Sequence, residues 1–173
     1  MQLSKIIPAR LGVPAWTKPN PRPSASLVDY PIRTSEKLRF ADTDRNGHIS
    51  NTAFAVCCQN ARMEILYDRN RVPLSFDAQF VIVRFELQFH REMHWPGTVE
   101  IGTRLERIGR CSVTMGQCLF QNGRHVASAT STVVLIDPST RRTTPLPDET
   151  ATALRALANT TPARGTDGDP GRI

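Results

Sequence analysis

A chain of 173 residues, 39% of them hydrophobic and 22% charged, carries enough apolar material for one compact domain without a disulfide or metal staple. Its formal charge of +6 is unevenly spread: residues 1–34 hold five basic residues against Asp29, whereas 35–140 hold twelve basic against eleven acidic, so the body is nearly neutral and no nucleic-acid partner is expected. Aromatics are sparse and do not interleave with basic residues, and the longest apolar runs, 53–58 and 133–136, are too short to cross a bilayer, so no membrane partner is expected either.

Residues 1–34 contain Pro8, Pro14, Pro19, Pro21, Pro23 and Pro31, a composition that disfavours helix and sheet, and they read as an extended, flexible arm. The first sixteen residues have no apolar run of signal-peptide length, and the expectation is a cytoplasmic protein. A first strand is expected at 36–41. After a polar loop, Phe54, Cys57 or Cys58, Ala61, Ile65 and Leu66 recur at three- and four-residue spacing, which predicts one long helix from Thr52 to about Asn70, closed by Pro73. Ser50 or Asn51 is the right residue type to cap it.

Beyond Pro73 the period changes to two. Val81, Val83, Phe85, Leu87 and Phe89 alternate with more polar neighbours, as in a strand with one buried face, and three further strands are expected at 98–108, 111–121 and 124–136. Asn122-Gly123 signals a two-residue hairpin, because a type I′ turn needs positive φ at both central residues, and Gly109-Arg110 marks another tight connection. The plan is α+β, a sheet wrapped around one helix over 35–158, followed by a fraying tail from 159 to 173. Cys57, Cys58, Cys111 and Cys118 form no C-x-x-C pair and no zinc spacing, so buried, reduced thiols are expected.

The densest chemistry lies at 42–51, where Asp42, Asp44, Gly47, His48 and Asn51 crowd into ten positions just before the helix. Asp42, Asp44, Asn46, Gly47 and Ile49 match the start of a calcium-binding EF loop, but Ala53 stands where its bidentate glutamate belongs and a strand precedes it. No metal is therefore expected. A purely structural turn explains Asn46-Gly47 but leaves two neighbouring carboxylates beside His48 unexplained. Carboxylates at a helix start, where free N–H groups attract negative charge, suit a site for chemistry.

Arg39-Phe40-Ala41-Asp42-Thr43-Asp44, then Gly47-His48-Ile49-Ser50-Asn51, and further on Ala61-Arg62-Met63-Glu64, resembles the signature of hotdog-fold acyl-CoA thioesterases of the 4-hydroxybenzoyl-CoA thioesterase family. The resemblance implies a hotdog fold and hydrolysis of an acyl thioester on coenzyme A or a carrier protein. Asp44 falls on that family's carboxylate, as nucleophile or general base, and the N–H groups near Asn51 and Thr52 would meet the thioester carbonyl. His48 would orient Asp44 or a water, or be structural; Asn51 would cap the helix or touch the thioester. Asp42 would hold the loop or raise the pKa of Asp44, and Asp42, Gly47, Thr52 and Phe54 would line the substrate site. Phe54 departs from the tyrosine of many relatives. No cofactor is implied, and the expected assembly is a homodimer or homotetramer with its pocket between subunits. Arg84, Arg91, Arg104, Arg107 and Arg110 are candidates for coenzyme A phosphates. A non-catalytic hotdog module that binds acyl groups is the alternative.

Overall fold

The computed structural model describes residues 25–74 and 78–160; the proline-rich stretch before residue 25 and the tail beyond 160 lie outside the described residues. Five strands, β1 (Ile32–Lys37), β2 (Gln79–Phe89), β3 (Thr98–Ile108), β4 (Ser112–Gln121) and β5 (Arg124–Ile136), form one antiparallel sheet in the order β1-β3-β4-β5-β2. Helix α1 (Asn51–Leu66) packs on one face, and a second helix, α2 (Asp148–Ala158), closes the far end. This is the hotdog arrangement, a long helix held by a wrapped sheet. No described helix is long and apolar enough to cross a membrane.

The α1 side of the sheet is lined by Val99 and Ile101 of β3, Leu119 of β4 and Ala127 and Ala129 of β5, all alternating positions, so each strand turns one face inward. Against them α1 sets Ala53, Phe54, Cys57, Cys58 and Ala61, and Ile65 and Leu66 continue the same 3.6-residue stripe into a second half of the core with Leu105, Val113 and Met115. Arg62 lies in that buried stripe too. Its guanidinium donates from Nη1 to Oε1 of Gln117 at 3.3 Å, sits over the Phe85 ring, and is pushed down in pKa by burial. Gln117 in turn donates to the carbonyl of Cys58 at 3.0 Å, so helix and sheet share one buried polar node.

The Asn122-Gly123 turn has φ of 52° and 70°, the left-handed pair expected of a type I′ hairpin. Four expectations need correction. The first strand runs over Ile32–Lys37, not 36–41, because its partner β3 begins at Thr98 opposite Lys37; beyond it Leu38 donates only to Gly97, and Phe40–Asp42 forms a 3-10 turn. Ordered structure therefore starts before residue 35, with Tyr30 buried on the sheet. In β2 the alternation breaks at a bulge between Ile82 and Arg84, which leaves Val83 unpaired with β5 and switches the inward parity. Phe85 and Leu87 face the core, but Val81 and Val83 do not. Helix α2 extends the architecture beyond the four later strands: Ala151 and Leu154 pack into the second half of the core, Thr150 donates its hydroxyl to the carbonyl of Pro73, and Asp148 and Glu149 suit the positive end of the helix dipole.

Candidate active site

The loop that leads into α1 is closed by its own backbone. Asp44 N–H donates to the carbonyl of His48 at 2.8 Å and Gly47 N–H to that of Asp44 at 3.1 Å, while Thr43 and Ile49 form an isolated antiparallel bridge. Gly47 sits at φ +81°, a conformation that costs an ordinary side chain about 1–2 kcal/mol, which is why the turn needs glycine there. Ile49, buried in the core, then donates to the carbonyl of buried Met93 at 2.8 Å, and Ser50 N–H donates to the carbonyl of Asp42 at the same distance. The loop is thereby stitched to the segment before β3 and to the entry of α1.

The two carboxylates divide their work. Asp42 accepts from Arg39 Nη2 at 2.7 Å, from Arg39 Nε at 3.3 Å and from the Arg39 backbone N–H at 2.8 Å. Those hydrogen bonds, the side-chain ones first, hold the Asp42 carboxyl below the ordinary carboxylate range. Both of its oxygens are committed, so Asp42 holds the 3-10 turn. Asp44 is exposed, and its Oδ1 accepts the N–H of Asn46 at 2.7 Å and of His48 at 3.3 Å, an Asx turn that fixes the carboxylate. Its Oδ2 makes no hydrogen bond among the described residues.

Ser50, not Asn51, occupies the N-cap position, and no side chain caps the helix; the Ser50 hydroxyl pairs with that of Thr52 at 2.8 Å instead. Asn51 and Thr52 are exposed, so the first N–H groups of α1 keep their affinity for a negatively charged oxygen. Phe54 is 2% exposed and meets the Phe89 ring edge-on with centroids 5.1 Å apart; its place in this chain is the core, where it fixes the start of the helix. His48 supports Asp44 through its backbone, whereas its ring turns to Glu92, with Nε2 and Oε2 3.4 Å apart.

Three further histidines, His90, His94 and His125, carry no motif in the sequence, and the structure gives each a setting. His94 joins His48 at Glu92. On the sheet face turned away from α1, His90 and His125 converge on the Ser128 hydroxyl at 3.0 and 2.9 Å, and burial, then the charge of His90, keeps His125 below its usual 6.5. Side chains that meet in space but lie far apart along the chain leave no local sequence signal. A pocket of about 500 Å³ opens beside Glu92 and His94, with Arg91, Arg124, Gln121, Asn122 and Val126 as its other lining residues.

Residues 38–154 match the thioesterase-like superfamily. The chain belongs to that superfamily. Among solved structures, a predicted thioesterase from Bacillus stearothermophilus is 34% identical, with 73% of this chain and 95% of that one aligned at a TM-score of 0.67. A thioesterase from Thermus thermophilus, solved in complex with coenzyme A and zinc, is 27% identical over 75% of this chain and 96% of that one, at a TM-score of 0.66. A 1,4-dihydroxy-2-naphthoyl-CoA thioesterase from Synechocystis is 20% identical over 72% and 96% of the two chains at a TM-score of 0.64, a likeness of fold. A comparison with curated proteins finds no significant match. The superfamily's fold is thus shared by this thioesterase-like chain, with the Asp44 loop at the entry to its long helix.

Proposed function

We propose that this thioesterase-like protein hydrolyses an acyl thioester, an acyl-CoA in preference to a carrier-bound acyl group, and that it stands closest in chemistry to the 4-hydroxybenzoyl-CoA thioesterase family. The observation that carries this reading is Asp44: an exposed carboxylate with one oxygen fixed by loop N–H groups and the other available, on the loop that runs into an uncapped helix start. Superfamily membership and the coenzyme A held by the Thermus relative support the substrate class.

In the general-base route, Asp44 takes a proton from water as the hydroxide oxygen adds to the thioester carbonyl. In the nucleophilic route its oxygen adds to that carbon and the acyl group passes through an anhydride, which water then opens. Either way the carbonyl oxygen gains negative charge, and the N–H groups at Asn51 and Thr52 are donors of the right kind to stabilise it. The C–S bond then breaks, and the thiolate leaves to pick up a proton. Arg91 and Arg124, which share the 500 Å³ pocket, are the guanidiniums assigned to the coenzyme A phosphates. Arg84 is engaged by Glu86, and Arg104 lies 4.5 Å from the Tyr30 ring centre, so both have other employment.

Asp44→Asn keeps the shape and the Asx turn while removing the charge and the proton acceptor. With a panel of short, long and aromatic acyl-CoAs in a thiol-release assay, that variant is expected to lose roughly 10²–10⁴-fold in kcat with an unchanged circular dichroism spectrum. Near-normal turnover by Asp44→Asn would remove Asp44 from the mechanism. Binding of acyl-CoA by the unmodified chain without any turnover would favour the acyl-binding module.

A further inference from the structure

His48 and His94 come from segments far apart in the chain, yet both aim Nε2 at the same atom, Oε2 of Glu92, at 3.4 and 3.8 Å. One ligand atom from each of the three residues lies within 4.8 Å of the other two, and the imidazole rings stand at 88° with centroids 5.1 Å apart. An ion pair with Glu92 would need one histidine. Two imidazoles converging on a single carboxylate oxygen would repel each other if both were protonated, whereas a cation between the three groups gives each a reason to point there. Ligand atoms around a tetrahedral zinc at 2.0–2.1 Å lie about 3.3 Å apart, so small side-chain adjustments bring all three onto one ion.

The backbones that carry these side chains are fixed before any ion arrives. His94 is clamped on both sides by the buried Gln121, which accepts from its N–H at 3.0 Å and donates to its carbonyl at 2.6 Å. His48 is held by the Asp44 hydrogen bonds, and the Ile49 to Met93 bond lashes the two segments together. Ile49 and Met93 point into the core, which turns their neighbours His48, Glu92 and His94 outward.

We propose that His48, Glu92 and His94 form a binding site for a divalent transition-metal ion of the zinc class. Two imidazoles with one carboxylate suit zinc, cobalt or nickel, whereas magnesium and calcium demand oxygen ligands throughout. Three protein ligands leave at least one position open to water or to an anionic ligand from the adjoining pocket of Arg91 and Arg124. An ion there would clip the loop that holds Asp44 to the segment entering β3. The proposal does not depend on the thioester reading, since occupancy is measured without a substrate.

The test titrates the full chain with Co²⁺, followed by its visible ligand-field absorption, and then displaces Co²⁺ with Zn²⁺. One equivalent is expected to bind, Mg²⁺ in excess is expected to leave the spectrum unchanged, and Zn²⁺ is expected to raise the melting temperature. Glu92→Gln and His94→Ala, both at positions more than half exposed and so compatible with folding, are each expected to weaken binding by at least about tenfold and to abolish the thermal shift. His90→Ala/His125→Ala, which removes the other histidine pair, is expected to change neither readout. Absence of Co²⁺ and Zn²⁺ binding by the unmodified chain, unchanged affinity in Glu92→Gln and His94→Ala, or loss of binding only in the His90/His125 variant would each overturn the proposal.

Discussion

Cys57 and Cys58 stand side by side in α1 beneath the loop that carries Asp44, and burial pushes both thiols up to about 12. A thiol with that value holds almost no thiolate near neutral pH, so neither is a nucleophile, and both serve as small apolar side chains between helix and sheet. Cys118 is buried as well, accepting a hydrogen bond from the Tyr30 hydroxyl at 2.7 Å, whereas Cys111 is partly exposed in the β3–β4 turn. In a titration of the native protein with a disulfide reagent at pH 8, Cys111 is expected to react fast and Cys57, Cys58 and Cys118 only after unfolding. Fast reaction of Cys57 or Cys58 would contradict the packing of α1, and fast reaction of Cys118 the packing of Tyr30 over β4. Asp44, Gly47 and the helix start are contiguous and their chemistry is local, so the Asx turn and the open N-terminus are written in ten residues. The partners of His48 are not: Glu92 and His94 reach it only because the chain returns after β2, and the commitment of Asp42 to Arg39 depends on a 3-10 turn that reads as strand.

At the scale of elements, the segment Leu27–Asp29 and Tyr30 lie across the outer face of the sheet, where the ring of Tyr30 covers Gly102 of β3. A Cβ at Gly102 would stand 2.4 Å from Tyr30 Cγ, so the glycine is there for contact, not for turn geometry. Gly102→Ala is expected to lift the segment from the sheet and destabilise the fold by about 1–3 kcal/mol, measured by urea denaturation. Because Tyr30 Cβ would itself lie 2.7 Å from the added Cβ, the test uses a Tyr30→Gly background, in which the ring and Cβ are both gone and the cost of Gly102→Ala is expected to vanish; additive effects of the two changes would show that the segment does not rest on Gly102. Ile32, Thr34 and Glu36 are half-buried and alternate with the exposed Arg33, Ser35 and Lys37, but the half-buried side mixes an apolar, a hydroxyl and a charged side chain, so β1 shows no apolar period in its sequence, and its ends are set by pairing with β3. Strands β3 to β5 pair with neighbours on both sides and bury one full face, and their limits were legible to within a residue. Helix α2 buries only Thr150, Ala151 and Leu154, a stripe too short to stand out from a loop composition.

For the whole molecule, the unequal edges of the sheet matter most. Both β1 and β2 end the sheet, but β1 is six residues of mostly polar sequence, whereas β2 runs for eleven with its outer hydrogen-bonding groups unpaired by any described strand. Val81, Ile82 and Val83 are 37%, 45% and 60% exposed around the bulge, and Phe89 is 49% exposed at the other end of the strand. An apolar, unpaired edge of eleven residues invites a second strand, and a second copy of the same edge in antiparallel register supplies it with twofold symmetry. Such a joint would agree with the homodimer or homotetramer, its pocket between subunits, that the sequence resemblance implies. Sedimentation at micromolar concentration is accordingly expected to give a dimer or a dimer of dimers. Val81→Lys/Val83→Lys places two like charges from each copy along the joint and is expected to shift the protein toward monomer and to lower kcat/KM in parallel, with the circular dichroism spectrum retained. A monomeric, fully active unmodified chain would show that one copy completes the site alone, and β2 would then be an edge kept apart by its bulge and by Arg84 and Glu86.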